Sequence, residues 1–357
     1  MAIELMLLSH DSRKPGGETR KLQMTGGSTY IVSLPKKWIT RNQLKKGGSL
    51  TFLEEDDGSL SIFPSSKLVR EEEPDVALIK VSTNENPDTV IRKTVSSYLV
   101  GYNMIRIKAR DQQQLSSKQR SAIKNFARDL LVGTEIVTDT PTELTLQVLL
   151  SYPELSIQSA LRRMCIITSS MHKDALTALK GLDSQLAKGV IESDDEVDRF
   201  NLYVVRQLKM AIQNPRIIRE IGLTTARECL GYRLVTKSVE RAADHATSIA
   251  ENVLLLKRPM DEDVFKYLEE MSTLAVSMFE TSLESLFRLD FNLAESVIQK
   301  TKEINFTMKE ALLSSKKIGT EEIANLRLVI ESLRRTAEYA SDIAEIVLNL
   351  TVDSIVG

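Results

Sequence analysis

The chain has 357 residues, of which 42% are hydrophobic and 27% are charged, and its formal net charge is −2. That length is enough for two or three domains, and the composition excludes disorder as the general state. No apolar run reaches the length of about 18 residues that a membrane-spanning helix needs, so we expect a cytoplasmic protein without a transmembrane segment. The two cysteines, Cys165 and Cys229, fit no metal-binding spacing and are predicted to be reduced core thiols.

A segment near the N-terminus is strongly basic, although the whole chain is close to neutral. Between Arg13 and Lys46 the chain has nine basic residues and one acid, Glu18, which is a local charge of +8. The acidic run 54–57 follows directly. A local excess of positive charge says nothing about the fold, but it indicates a surface that attracts anions.

Residues 18–64 have the pattern of short strands around one short helix. The segment Thr29–Leu34 is rich in β-branched residues and ends at Pro35, so it is predicted to be a strand. Pro35 favours the first turn of a helix, which we expect to end at Gly47. Two further strands, at 49–53 and 60–63, flank an Asp-Asp-Gly sequence and predict a hairpin.

Residues 74–150 alternate between strand and helix patterns. Strands and helices of a small α+β unit are predicted at 77–81, 88–100, 104–107, 117–131, 135–137 and 144–148. No motif in this unit carries chemistry. We expect it to act as a scaffold, and a role in ligand sensing stays open.

From Pro153 onward, apolar residues recur with the period of an α-helix and prolines are rare, which predicts helical bundles. This part is duplicated. Met171–Leu179 matches Met278–Leu286 at an offset of 107 residues. A second pair of segments, 238–251 and 332–345, matches at an offset of 94 residues.

The difference between the two offsets implies a longer connection in the first copy, near Asn214. We therefore predict two three-helix bundles in tandem, at 153–257 and 260–352.

Acidic residues concentrate on two helices of the first copy. Asp194 and Asp198 are four residues apart, as are Glu240 and Asp244, so each pair lies on one face of its helix. Like charges at this spacing repel unless solvent or a bound cation screens them. Carboxylates without histidine or cysteine suit magnesium, calcium, manganese or ferric iron. A cation site and an ordinary solvated acidic face are both open on this evidence.

The second copy does not keep this set of acids. Its residues at the four equivalent positions are Thr301, Asn305, Arg334 and Glu338. The two copies therefore cannot hold equal metal sites. His245, next to Asp244, is predicted to be a packing or hydrogen-bonding residue. No catalytic triad, metalloprotease motif or phosphate-binding glycine loop is present in the sequence, so we predict that the chain is not an enzyme.

The segments Glu240–Glu251 and Val190–Asp198 resemble the signature helices of PhoU proteins, regulators of phosphate uptake, here in an archaeal-type form. The resemblance covers about residues 155–352. It implies two three-helix repeats, metal held by paired carboxylates, negative control of phosphate uptake, and contact with a phosphate transporter or sensor kinase. Carried over to this chain, the ligands of a divalent or ferric ion (Fe, Mn or Mg) are Asp194, Asp198, Glu240 and Asp244.

The segments Arg20–Gln23, Ile31–Trp38 and Leu44–Gly48 are similar to the AbrB/SpoVT swapped-hairpin module, although Gly48-Ser49 replaces the acidic residue usual after the loop glycine. The resemblance implies a homodimer of interleaved chains whose basic face contacts DNA. The residues it points to as DNA contacts are Arg20, Lys21, Lys36, Lys37 and Arg41.

The sequence thus predicts a multidomain, mainly α protein: a swapped-hairpin β module at 18–64, an α+β unit at 74–150, and two tandem PhoU-like bundles. The leading hypothesis is a dimeric transcriptional or signalling regulator of phosphate uptake and homeostasis. The alternative is an adaptor that does not bind DNA, restrains a phosphate transporter or sensor kinase, and uses its N-terminal module only to dimerise. A metal-dependent phosphohydrolase is disfavoured because no nucleophile or general base is identifiable.

Overall fold

The computed structural model describes residues 18–54, 58–65, 75–111, 113–149, 155–314, 320–352 and 355–356. The chain divides into two units, residues 1–73 and residues 74–357. The first contains the basic segment. The second contains the α+β unit and all the long helices.

Two antiparallel hairpins and one short helix make up the described part of the first unit. Strands β1 (Gln23–Thr25) and β2 (Thr29–Ile31) form one hairpin, and β3 (Leu50–Glu54) and β4 (Leu60–Pro64) form the other. Helix α1 (Lys36–Arg41) lies between them in the chain. The predicted second hairpin is confirmed, and its turn at 55–57 lies outside the described residues.

The helix that starts after Pro35 is shorter than predicted. We expected it to end at Gly47, but it ends at Arg41, because Gln43 has a left-handed φ of 56° that cannot continue an α-helix. Strand β2 likewise ends at Ile31, three residues before the predicted Leu34.

The α+β unit follows its sequence pattern closely. Its strands and helices are β5 (Val76–Val81), α2 (Pro87–Val100), β6 (Met104–Ala109), α3 (Ser117–Leu130), β7 (Thr134–Asp139) and β8 (Glu143–Val148). The sheet order is β5-β6-β8-β7. Strands β5 and β6 are parallel, because α2 carries the chain from the end of one to the start of the other, and the remaining pairs are antiparallel. Alternate strand residues face the two helices and form a separate hydrophobic core.

The remainder of the second unit is helical. Its helices are α4 (Ile157–Gly181), α5 (Ser184–Gln213), α6 (Pro215–Glu220), α7 (Ala226–Leu255), α8 (Glu262–Arg288), α9 (Phe291–Ser314) and α10 (Thr320–Thr351). The first repeat consists of α4, α5 and α7, and the second of α8, α9 and α10. The short helix α6 accounts for the longer connection predicted in the first repeat.

One continuous hydrophobic core runs through both bundles. The bundles meet where α4 packs on α8 and where α7 packs on α10. Gly231 permits the second approach, because a Cβ atom there would lie 3.1 Å from Cγ2 of Ile346. Cys165 and Cys229 are both buried and free, as predicted. Among the described residues, no helix has the length and apolarity needed to cross a membrane.

Candidate cation site and DNA-binding surface

Two packed helices bring the predicted acidic residues together. Asp194 and Asp198 lie on α5, and Glu240 and Asp244 lie on α7, which packs against α5. The buried side of α7 carries several alanines, and small side chains allow helices to pack closely. The alanines that are completely buried are Ala242, Ala243, Ala246 and Ala250.

The electrostatics show that these carboxylates influence one another. Burial, and then the charges of Asp198, Asp244 and Glu240, raise the pKa of Asp194 to about 7. Burial and the charges of Glu240 and Asp244 raise the pKa of Asp198 to about 6. The pKa of Asp244 is raised by burial and by Glu240. At these positions burial and the neighbouring carboxylates both disfavour the charged form of the carboxyl groups.

One cation of the chain itself already reaches this cluster. The ammonium group of Lys237 donates hydrogen bonds to both carboxylate oxygens of Glu240, whose residue is only 9% exposed. Lys237 was missed by the sequence reasoning, although its position three residues before Glu240 on one helix was a usable signal.

The donor set of this cluster fits a hard cation, but its side chains are not arranged around one. Oδ1 of Asp194 is buried and has no hydrogen-bond partner. In the part of the chain that the structure describes, however, no group of three or more His, Cys, Asp or Glu side chains is placed so as to hold a metal ion.

The two described histidines serve packing and hydrogen bonding. The ring of His245 stacks on that of Tyr339 at a centroid distance of 5.8 Å, and its Nδ1 lies 3.3 Å from Oγ of Ser332. His172 is buried, and its Nε2 lies 2.9 Å from the carbonyl oxygen of Ala242, midway between the two acids of α7. His172 thereby ties α4 to the turn of α7 that carries Glu240 and Asp244.

In the first unit, most of the predicted DNA contacts line one surface. Arg20, Lys36, Lys37 and Arg41 surround a concavity of about 670 Å³, together with Glu18 and Thr40. Arg20 forms an ion pair with Glu18. Lys21 is exposed but does not line the concavity.

The first unit lacks a core of its own in the residues that the structure describes, where Pro64 alone is buried. Large apolar side chains lie exposed on both hairpins instead. They are Leu22, Met24, Tyr30, Ile31, Phe52, Leu53, Leu60 and Phe63. Exposed apolar side chains in this density are typical of an interaction surface.

Comparison with known proteins identifies the helical part. The model of the PhoU domain matches residues 161–253 and again residues 268–347, one match in each bundle. The two helical bundles are PhoU-like. The predicted duplication is thus confirmed by two separate matches to one domain.

Several PhoU homologues are similar to this half of the chain. The phosphate-specific transport system accessory protein PhoU homologue of Borreliella burgdorferi is 27% identical over 187 residues, which is 48% of this chain and 81% of that protein. The homologue of Pseudomonas aeruginosa is 25% identical over 202 residues, or 54% of this chain and 81% of that protein. A crystal structure of PhoU from P. aeruginosa superposes with a TM-score of 0.49 at 23% identity, covering 55% of this chain and 96% of that one.

The N-terminal module matches a different family. The model described as antidote-toxin recognition MazE, bacterial antitoxin, matches residues 23–68. The match includes both hairpins and α1, and it covers the predicted DNA contacts from Lys36 onward.

A buried arginine joins the PhoU-like half to the α+β unit, and the sequence reasoning missed it. Arg206 of α5 is only 3% exposed. Its guanidinium donates to the carbonyl oxygens of Tyr98, Tyr102 (3.0 Å) and Gly101 (2.9 Å) and to Oδ1 of Asn103 (2.8 Å). These carbonyls end helix α2, so Arg206 satisfies groups that a helix C-terminus leaves unpaired. The signal was an arginine within the apolar run 202–208.

Proposed function

We propose that the chain is a dimeric regulator of phosphate uptake and homeostasis, which binds DNA through its N-terminal module and a metal cation through its first PhoU-like bundle. The main support for this proposal is that one chain contains both two PhoU-domain matches and a MazE match. The similar PhoU homologues are accessory proteins of phosphate-specific transport systems, and this chain adds a basic N-terminal module to such a helical half.

DNA binding is supported by the charge and exposure of the first unit. Lys36, Lys37 and Arg41 are exposed, lie within two turns of one short helix, and line the same concavity as Arg20. Cations in such an arrangement contact backbone phosphates, and each contact releases counterions, so the resulting affinity falls steeply with salt.

Dimerisation is supported by the exposed apolar side chains of the two hairpins. A second copy of the same module would cover them and supply the core that one copy lacks, because a self-complementary surface buries its apolar groups when two chains pair. A dimer would also place two basic concavities on one assembly, and paired half-sites are the usual arrangement on DNA.

Cation binding is supported by the donor chemistry of the first bundle. Asp194, Asp198, Glu240 and Asp244 would hold a divalent or ferric ion such as Fe, Mn or Mg, all of which accept carboxylate oxygens. When bound, the ion would supply positive charge that offsets the repulsion between the carboxylates. The buried Oδ1 of Asp194 would gain a partner.

The second candidate is an adaptor that restrains a phosphate transporter or a sensor kinase without binding DNA. Two observations favour it: the similar proteins are accessory proteins of transport systems, and Glu18 already neutralises Arg20. In this case the N-terminal module would serve dimerisation alone.

A gel-shift titration separates the two candidates. The probe is DNA from directly upstream of the chain's own coding region, titrated at several salt concentrations. We expect salt-sensitive binding that the triple variant Lys36→Gln, Lys37→Gln, Arg41→Gln loses. A matched control, Lys80→Gln, Lys108→Gln, Lys118→Gln, removes three exposed lysines from the second unit and should bind as the wild type does. Equal binding by all three proteins, or none by the wild type, would overturn the DNA-binding proposal in favour of the adaptor.

A further inference from the structure

The two edges of the sheet in the α+β unit differ in how well they are protected. One edge is β7 and the other is β5. In β7 the pairing register shifts between Ile136 and Thr138, and the strand carries the acids Glu135 and Asp139. Irregular register and charged side chains both keep an edge strand from pairing with another chain. The β7 edge is therefore protected.

Strand β5 has much less protection. It pairs with β6 in an unbroken parallel register from Val76 to Val81. It contains no proline, and its one charged residue is Lys80. Within the described ranges of the chain, β6 is the only strand hydrogen-bonded to β5. A regular, mostly apolar edge of this kind is a template on which another strand can pair.

The hydrogen bonds of β5 show which of its backbone groups face this edge. The carbonyl oxygens of Asp75 and Val81 accept hydrogen bonds from the β6 side, at 3.2 and 2.9 Å. Consecutive residues of a strand direct their backbone groups to opposite sides, so the odd-numbered residues between these two also face β6. Three residues turn their N–H and C=O groups to the free side: Val76, Leu78 and Lys80.

The side chains of the same three residues lie on the open face of the sheet. The intervening Ala77 and Ile79 belong to the core beneath α2 and α3. Val76 is 43% exposed, Leu78 is 54% exposed, and Lys80 is exposed as well. The free edge of β5 is thus accessible and largely apolar along its length.

A second copy of β5 fits this edge in an antiparallel register with a two-fold axis at Leu78. Val76 of each copy then lies opposite Lys80 of the other. All three outward residues gain a partner, and about six backbone hydrogen bonds form. An axis at Ile79 would leave Val76 without an opposite among them. The register at Leu78 also keeps the two Lys80 side chains from facing each other, so like charges are not opposed.

We propose that β5 is a dimerisation edge, at which two copies of the chain pair antiparallel about Leu78 and join their sheets into one. This proposal rests on the dimer proposed for the first unit. Only residues 65–75 separate β4 from β5, so that dimer tethers two β5 strands to one assembly and raises their effective concentration. The contact is self-complementary and closes on itself, as a two-fold interface does. It gives the α+β unit a role in assembly.

Single-cysteine variants of the full-length chain test the pairing. In Leu78→Cys the two thiols lie on the axis, where Cα atoms of a hydrogen-bonded antiparallel pair are about 5.5 Å apart and a disulfide can form. Val76→Cys and Lys80→Cys are matched controls on the same exposed strand. Each places its own two copies four residues out of register, roughly 14 Å apart and beyond disulfide reach.

Each variant is oxidised mildly, and the crosslinked dimer is measured on a non-reducing gel after folding has been checked by circular dichroism. Cys165 and Cys229 are buried, so the oxidised wild type gives a low background. Val137→Cys, exposed on the protected β7 edge, is a further control. A mixture of Val76→Cys chains with Lys80→Cys chains tests the register a second time, because these two positions lie opposite each other in the proposed pair.

We expect roughly fivefold more crosslinked dimer from Leu78→Cys than from any other single variant, since only its thiols fall within disulfide range. The mixture should crosslink more than either of its components alone. Light scattering gives the mass of the wild type at the same concentration. A monomeric wild type refutes the dimer of the proposed function, and this pairing with it. A dimeric wild type without a preference for position 78 leaves that dimer standing and refutes the pairing of β5.

Discussion

Lys173 and Glu280 occupy equivalent positions of the two helical repeats, and they form an ion pair with each other, with Nζ 2.9 Å from Oε1. His245 and Tyr339 are a second such pair, in which a ring stacks on its own counterpart. Residues at equivalent positions of two repeats contact each other only close to a two-fold axis that relates the repeats. These contacts therefore indicate a pseudo-two-fold axis between the bundles. It passes through the α4–α8 interface and the α7–α10 interface.

The Lys173–Glu280 pair marks this axis but should add little stability. Its side chains are 62% and 49% exposed, so solvent screens the attraction. We expect a double-mutant cycle with Lys173→Ala and Glu280→Ala to give a coupling free energy of about 0.5 kcal/mol or less. Chemical unfolding followed by far-ultraviolet circular dichroism measures this coupling free energy. A value several times larger would contradict the prediction that the pair adds little stability.

Arg206 should contribute far more than this ion pair to the free energy of unfolding. Arg206→Met leaves the carbonyls at the end of α2 without their buried donor, and we expect a loss of about 2–4 kcal/mol in the free energy of unfolding. Lys209→Met is the matched control, because Lys209 is exposed on the same helix, and it should change stability by less than about 0.5 kcal/mol. Similar losses in the two variants would show that Arg206 does not join the α+β unit to the bundle.

His172 predicts an acid-sensitive contribution to stability. Burial lowers the pKa of His172 from 6.5 to about 4 in the folded protein. Between these values the unfolded chain binds the extra proton and the folded chain does not, so the contribution is complete above about pH 6.5 and is lost as the pH falls toward 4. His172→Phe, which copies the equivalent Phe279, should flatten the pH dependence in that window. Melting curves from pH 4.5 to 7.5 test this, and an unchanged slope would contradict it.

The proposed ligands predict a loss of metal on neutralisation. Asp198→Asn and Glu240→Gln each remove one carboxylate of the set, and we expect the affinity for Mn²⁺ to fall roughly tenfold or more. Glu251→Gln is the control, because Glu251 is an exposed acid on the same helix as Glu240. Elemental analysis and calorimetric titration give the metal content. Equal content in all variants would remove these residues from the ligand set.

The exposed apolar residues of the hairpins predict a dimer that can be weakened. Tyr30→Ser together with Leu60→Ser removes apolar area from both hairpins, and we expect a shift toward monomer in light scattering coupled to gel filtration, with weaker DNA binding. Leu254→Ser together with Leu255→Ser removes two exposed leucines from α7 and should leave the mass unchanged. A wild type that elutes as a monomer at micromolar concentration would refute the dimer.

Much of the fold could be predicted because its signals are local. The helices 87–100 and 117–130 are capped by Asn86 and Ser116, which are residue types that favour helix N-caps and can be recognised in the sequence. The two bundles were predictable from their repeat. The end of α1 could not be predicted. The helix stops near Gln43, which has a left-handed φ although it is not a glycine, so the sequence carries no signal for the stop.

The sequence by itself determined the order of the modules, the duplication, and the unequal distribution of acids between the two repeats, because periodicity and internal similarity are properties of the chain. Only the tertiary structure decided which charges are compensated. The partners of Arg206 lie more than 100 residues away along the chain. Burial sets the strength of each such contact, and burial exists only after the helices have packed.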